Sequence, residues 1–132
     1  MAIESILDAA RAGMQYERLR LDASSRNIAA ANVPVAAGQG ATRLSADASG
    51  LRGPGLQGGF AAALSEQPAG LREVHDPAHP MADPAGMVHY PATDLVGEMT
   101  TLMTASRGYE ANVRSFNLLR GMMLRALEIG AK

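Results

Sequence analysis

The sequence predicts a mainly α-helical protein whose long N- and C-terminal helices pair as a coiled-coil-like hairpin, with a Gly/Pro-rich central region of loops and short β-strands. All seven prolines and nine of the fourteen glycines lie between residues 34 and 91, so only the two flanks are free to be helical. Apolar residues recur at three-four spacing in both flanks. The chain therefore divides into an N-terminal helix (1–33), a Gly/Pro-rich loop and small extended region (34–91) and a C-terminal helix (92–132).

The first flank carries a period-seven apolar stripe on a predicted helix of about 30 residues, roughly 45 Å long. Glu17 and Ser24 interrupt it. Its members are Ile3, Leu7, Ala10, Met14, Leu21, Ile28 and Ala31.

The second flank carries a longer stripe, which Ser106 and Arg120 interrupt. Thr93 or Asp94 is suited to cap its start, and Gly130 to end it. The stripe consists of Leu95, Met99, Leu102, Tyr109, Val113, Phe116, Met123 and Leu127.

Two narrow stripes favour pairing, because an isolated helix with a narrow apolar face is marginal in water. A paired hairpin can also present its remaining flanks to neighbouring subunits. An ordinary helical hairpin with no higher assembly remains open as an alternative, since the stripes alone do not decide between the two.

The central region opens with a run rich in Ala, Gly and Ser, from Val35 to Gly59, that has no sustained period and predicts a loop. Short strands are predicted only at "GLREVH" and "GMVHYP", where Gly and Pro bound runs containing Val or Tyr. So long a stretch with little regular structure indicates a functional or partner-ordered segment.

Composition excludes several classes of function. The net charge is −1, with 12 basic and 13 acidic residues intermixed, which does not favour nucleic acid as a partner. The chain has no cysteine and no uninterrupted apolar run near the ~20 residues needed to cross a bilayer. Glu4 and Asp8 stand where a cleaved secretory signal requires a basic start and an apolar run.

One alternative is a small metal-binding protein using His75, Asp76 and His79. A helix would place both histidines on one face, but Pro77 and Pro80 forbid that helix. No nucleophile accompanies the group, so we predict a proline-shaped turn, with no catalytic residue, metal or cofactor.

The stretch "SRNIAAANVP" marks the end of the first helix. Asn32 is suited to the left-handed conformation that ends helices, and Pro34 cannot continue one.

Two stretches resemble the bacterial flagellar basal-body rod proteins. "ATDLVGEMTTLMTASRGYEANVRSFNLLRGMML" is similar to the C-terminal helix of that family, and its "VGEM" and "ASRGYEANV" elements point to the proximal rod. "HDPAHPMADPAGMVHYP" resembles the segment preceding that helix, and "SRNIAAANV" the family's asparagine signature. The resemblance covers roughly the first 33 and the last 58 residues.

The resemblance implies a structural subunit without catalysis, without a small-molecule substrate and without a nucleic-acid partner. Such proteins leave the cell through the flagellar type III export apparatus without a cleaved signal. They polymerise in the periplasm as homo-oligomers within a helical rod, beside other rod proteins and basal-body components, and the rod transmits torque for motility. Another axial protein, from a different part of the rod or from the hook, is the nearest alternative. The resemblance also implies that the amides of Asn27 and Asn32 bond backbone groups of an adjoining subunit.

Overall fold

The computed structural model describes residues 2–48 and 62–130, and within α1 it leaves the side chains of residues 2–4 undescribed. Two long helices, α1 (Ala2–Ala30) and α2 (Leu95–Gly130), run antiparallel and contact each other along their length. Four short strands lie between them in sequence. They are β1 (Ala41–Asp47), β2 (Ala63–Ala69), β3 (Leu71–His75) and β4 (Met87–Pro91). The predicted terminal helices are confirmed.

The ends of the helices follow from local chemistry. Asp94 caps α2, because its Oδ1 accepts a hydrogen bond from the backbone N–H of Gly97 at 3.2 Å. At the end of α1, tight turns replace the helical ladder, as the N–H of Val33 donates to the carbonyl of Ala30 at 3.0 Å. Asn32 is not left-handed, since no described residue other than glycine has a positive φ. That prediction was wrong, because turns of this kind end a helix without a left-handed residue.

The strands form two antiparallel hairpins. β3 pairs with β4, from Leu71 opposite Pro91 to His75 opposite Met87, which confirms both predicted strands. β1 pairs with β2, from Ala41 opposite Ala69 to Asp47 opposite Ala63, although the sequence predicted a loop at β1 and no strand at β2. Ala- and Ser-rich strands have weak intrinsic propensity, so pairing and packing against α1 decide their conformation. Part of the predicted loop, residues 49–61, lies outside the described residues.

The turn between β3 and β4 is organised by Asp83. Its Oδ1 accepts hydrogen bonds from the N–H groups of Ala85 and Met87, both at 2.9 Å. Its Oδ2 lies 3.3 Å from Nε2 of His89. The Met87 hydrogen bond is the main reason why the pKa of Asp83 lies below its ordinary value, and the interactions with His89 and Ala85 add to it. Gly86, with φ at +78°, completes the turn.

The buried interior is small. Within residues 2–48 and 62–130, the buried apolar residues are six alanines, one valine and one proline: Ala10, Ala12, Ala23, Ala31, Ala41, Val88, Pro91 and Ala105. Neither α1 nor α2 contains a stretch long and apolar enough to cross a membrane. The described residues thus form a long hairpin with two small β-hairpins beside its closed end, and most large apolar side chains stay at least partly exposed.

Candidate assembly surface

The two helices approach each other through small residues. A Cβ added to Gly108 would lie 2.8 Å from Cδ of Glu17, and one added to Gly13 would lie 2.9 Å from Nδ2 of Asn112. Ala105 is fully buried. It lies on α2 between Gly108 and the start of the helix. Each glycine thus leaves room for a polar side chain of the other helix, and larger half-buried side chains such as Phe116 lie elsewhere along the contact.

A polar cluster joins α1, α2 and β1, and we call it the Glu98 cluster: the buried Ser24, Asn27 and Glu98 and the exposed Arg43. Glu98 is only 7% exposed. Its Oε2 accepts a hydrogen bond from the hydroxyl of Ser24 at 2.9 Å, and its Oε1 accepts one from the amide of Asn27 at 3.1 Å. A guanidinium nitrogen of Arg43 lies 3.4 Å from Oε1. The carboxylate is therefore paired and hydrogen-bonded, which is the condition for burying a charge.

Asn27 fixes β1 to α1. Its Nδ2 donates to the carbonyl of Leu44 and its Oδ1 accepts from the N–H of Leu44, both at 2.8 Å. The sequence placed the partner of this amide in an adjoining subunit, but the structure places it in the same chain. The physical reason is the path of the central segment, which brings the Leu44 backbone against α1, and no local pattern reveals that path.

Asn32 differs from Asn27. Its side chain is exposed, and it makes no hydrogen bond with any other described residue. It lines an open groove of about 480 Å³ at the closed end of the hairpin, between the end of α1 and the start of α2. Its predicted bond to an adjoining subunit stays a prediction.

The apolar residues predicted to take part in assembly are half-buried or exposed wherever their side chains are described. Ile3 lies in α1, and its side chain is outside the described residues. Those that are half-buried are Leu7, Met14, Leu21, Ile28, Leu102, Val113, Phe116 and Met123. Those that are exposed are Leu95, Met99, Tyr109 and Leu127. The half-buried set is thus partly covered within the subunit, and the exposed set is left available to other molecules.

The side of α2 turned away from α1 carries exposed apolar residues towards both of its ends, with the exposed charged residues Arg107, Glu110 and Arg114 between them. Val96 is 74% exposed and Leu118 is 67% exposed. We call this set the outward face: Val96, Met99, Met103, Leu118, Met122 and Ile129. Groups of large exposed apolar side chains mark interaction sites in soluble proteins.

Sequence reasoning missed the Glu98 cluster, although a signal exists. Small and polar residues of α1 follow the same three-four spacing that the apolar stripe uses, and they include Glu17 and Ser24, the two positions that interrupt that stripe. The full series is Gly13, Glu17, Arg20, Ser24, Asn27 and Ala31. Glu98, Ala105 and Asn112 repeat every seven residues on α2. A search for periodicity that considers only large apolar residues overlooks these small and polar residues on both helices.

The His75 segment forms a turn. Oδ1 of Asp76 accepts from the N–H of Ala78 at 3.3 Å, and Nδ1 of His79 accepts from the N–H of Met81 at 3.1 Å. Over residues 2–48 and 62–130, no three His, Asp or Glu side chains are grouped so that they could hold a metal ion. The side chains of Asp76 and His79 thus stabilise the turn by accepting hydrogen bonds from its backbone.

Comparison with known proteins gives a family. A family model described as the C-terminal region of flagellar basal body rod FlgEFG proteins matches residues 85–129. The chain is 32% identical to the flagellar basal-body rod protein FlgC of Salmonella typhimurium, over 98% of this chain and 99% of the relative. It is 30% identical to FlgC of Aquifex aeolicus, over 97% of each chain, and 31% identical to FlgC of Borreliella burgdorferi, over 98% of each.

The likeness extends beyond the terminal motifs, because these alignments also include the central segment. The region matched by the family model makes the C-terminal helix similar to that of flagellar basal body rod proteins. With relatives of this identity over nearly its full length, the chain belongs to the FlgC family of flagellar basal-body rod proteins.

Proposed function

We propose that this chain is a structural subunit of the proximal part of the bacterial flagellar basal-body rod, where it polymerises helically and transmits torque across the periplasm. It acts without catalysis and binds neither nucleic acid nor a small-molecule substrate. Its partners are further copies of itself, other rod proteins and basal-body components. Family membership supports this role, and all the full-length relatives described above are FlgC proteins.

The observation that carries the proposal is the outward face of α2. A chain that functions alone has no use for exposed large apolar side chains along one side of a helix, whereas a polymer buries them between subunits. Head-to-tail contacts that do not close on themselves generate a helical polymer, which is the form of a rod.

We propose further that the heptad stripes complete coiled-coil-like packing only in the assembled rod. Within one subunit, small and polar residues occupy the centre of the α1–α2 contact, and Leu95, Met99 and Leu127 stay exposed. Neighbouring hairpins then cover these exposed residues, so the large residues of both stripes pack between subunits.

The route to the rod is part of the proposal. The chain travels through the flagellar type III export apparatus, without a cleaved signal peptide, and takes its place in the periplasm. Membership of the FlgC family of flagellar basal-body rod proteins supports this route.

Leu118→Asp tests the function. Leu118 is exposed on the outward face, so the variant should fold and be exported, yet placing a charge between subunits should stop rod incorporation and swimming. Asn117→Asp is the matched control, because it adds the same charge at a neighbouring exposed polar position. Swimming plates and immunodetection of the chain in purified basal bodies give the readout. Normal swimming by Leu118→Asp cells would contradict the proposal.

A further inference from the structure

The outward face of α2 contains three of the eight methionines of the chain. Met99, Met103 and Met122 are exposed to 49%, 62% and 59%. The chain has neither cysteine nor tryptophan, so thioethers are its most readily oxidised side chains. In a subunit outside the rod, small oxidants in the solvent can therefore reach these three methionines.

The other described methionines are less exposed. Met14, Met87 and Met123 are half-buried, and Met81, in the turn between β3 and β4, is exposed to 37%. Because partial burial shields a thioether from the solvent, the methionines of the outward face should react before the half-buried ones. Met81 is exposed but lies away from α2, which makes it an internal control.

The oxidant in this inference is hydrogen peroxide. The thioether sulfur attacks one peroxide oxygen, an S–O bond forms as the O–O bond breaks, and proton transfer to the departing oxygen yields water. The sulfur is oxidised by two electrons to the sulfoxide, and the peroxide is reduced by the same two electrons. A thiol-dependent methionine sulfoxide reductase restores the thioether, so the modification is reversible.

Oxidation changes the surface that the proposed rod contact uses. The sulfoxide oxygen is a polar acceptor, and burying it without a donor is unfavourable. Met99 and Met103 lie one helical turn apart, close to the exposed side chain of Val96. The hydroxyl of Thr100, on the same turn, already donates to the carbonyl of Val96 at 2.9 Å. That hydroxyl therefore does not supply the donor that a sulfoxide buried at this contact needs.

We infer that Met99, Met103 and Met122 are oxidation sites, and that their conversion to the sulfoxide by peroxide stops the subunit from entering the rod. The inference rests on the proposed function, in which the outward face is buried between subunits. Once the subunit is in the rod, the same contact shields the three thioethers, so only subunits awaiting assembly are sensitive.

Peroxide footprinting tests the sites. The purified chain and purified basal bodies are treated with hydrogen peroxide, and mass spectrometry measures the sulfoxide at each methionine over time. In the free chain we expect Met99, Met103 and Met122 to be oxidised several-fold faster than Met14 and Met87. In basal bodies we expect the rates at the three outward positions to fall several-fold. Equal rates at all methionines of the free chain would overturn the inference.

Rod assembly in cells tests the consequence. Cells that carry only the natural chain, or only the variant Met99→Leu/Met103→Leu/Met122→Leu, grow with and without peroxide, and immunodetection in purified basal bodies gives a treated-to-untreated ratio for each strain. Peroxide should lower this ratio on the order of tenfold for the natural chain, and much less for the variant. Met81→Leu is the matched control, and it should be as sensitive as the natural chain.

Met99→Gln/Met103→Gln provides a test without oxidant, because it places polar amides where the sulfoxides would form. We expect it to lower incorporation in untreated cells, and Met81→Gln to leave incorporation as it is. Equal peroxide ratios for the natural chain and the leucine variant, or normal incorporation of the glutamine variant, would overturn the inference while leaving the rod function intact. Absence of the untreated natural chain from purified basal bodies would instead overturn the proposed function.

Discussion

The inner and outward sides of α2 differ in the kind of residue that each carries. The inner side contacts α1 mainly through Glu98, Ala105, Gly108 and Asn112, which are small or polar, and farther along through the half-buried ring of Phe116. The outward side carries large apolar residues such as Met103 and Leu118, which contact little within the subunit. The difference indicates that close helix packing and buried hydrogen bonds hold the subunit together. The large apolar side chains stay exposed and available for contacts between subunits.

Glu98→Ala should cause the largest loss of subunit stability. It removes the acceptor of two buried donors, those of Ser24 and Asn27, and we expect a loss of about 3 kcal/mol in the free energy of unfolding. Urea unfolding followed by circular dichroism measures it. Glu110→Ala, at an exposed position where the i, i+4 pair with Arg114 is 3.8 Å long, should change stability by less than ~0.5 kcal/mol. Equal losses would contradict the contrast between the two sides.

Phe116→Asp compares the inner side with the outward side within three residues of sequence. The Phe116 ring is half-buried and lies 5.6 Å from the Arg11 guanidinium carbon, so the change should destabilise the isolated subunit by about 2 kcal/mol. Leu118→Asp should cost less than ~0.5 kcal/mol, because its side chain already faces water. Thermal unfolding of both variants decides this, and a larger loss for Leu118→Asp would show that the outward face stabilises the subunit.

Two glycines of α2 provide a smaller and cleaner comparison. An added Cβ has nothing within 4 Å at Gly121, so Gly121→Ala should stabilise by up to about 1 kcal/mol through helix propensity. At Gly108 the same Cβ meets Glu17 at 2.8 Å, so that gain should be cancelled or reversed. Melting temperatures of the two variants give the answer. Equal stabilisation would mean that the helices do not approach as closely as described.

We expect the smallest effect on stability from a change in the β3–β4 turn, which lies away from α2. Because the folded pKa of Asp83 is lowered, its contribution to stability is complete above pH 3.8 and is lost as the pH falls through the folded value. Asp83→Ala should therefore be less stable than the natural chain near neutral pH, with the difference shrinking in acid. Unfolding measured between pH 2 and pH 7 tests this, with Asp47→Ala on exposed β1 as control. A difference that is constant with pH would exclude the carboxylate as the cause.

The sequence predicted the outer parts of the fold well because their signals are local. Pro34 and the proline-rich middle limit the helices, and Asp94 caps α2 through a neighbouring N–H. The strands that Val74 and Val88 mark were also predictable, since both sit in runs bounded by Gly or Pro. β1 and β2 were not, because residues such as Ala41 and Ser45 become strand through pairing with distant residues.

The same division applies to the candidate assembly surface. The heptad pattern identified residues such as Met99 and Leu127 as candidates for contacts, and the structure leaves both exposed. It did not identify which turns of the two helices face each other. The apolar residues and the small and polar residues follow the same three-four spacing, so periodicity alone does not say which of the two sets faces the other helix.

By itself, the sequence determined where the chain is helical, where it turns, and which family it belongs to, since these depend on residues near each other along the chain or on matching motifs. Only the tertiary structure decided that Asn27 bonds Leu44 and Glu98 within one subunit, and that Gly13 faces the Asn112 side chain and Gly108 that of Glu17. The physical reason is distance along the chain. The amide of Asn27 acquires its partners 17 and 71 residues away, and the partners of a buried polar group are set by the path of the backbone, which local propensity does not encode.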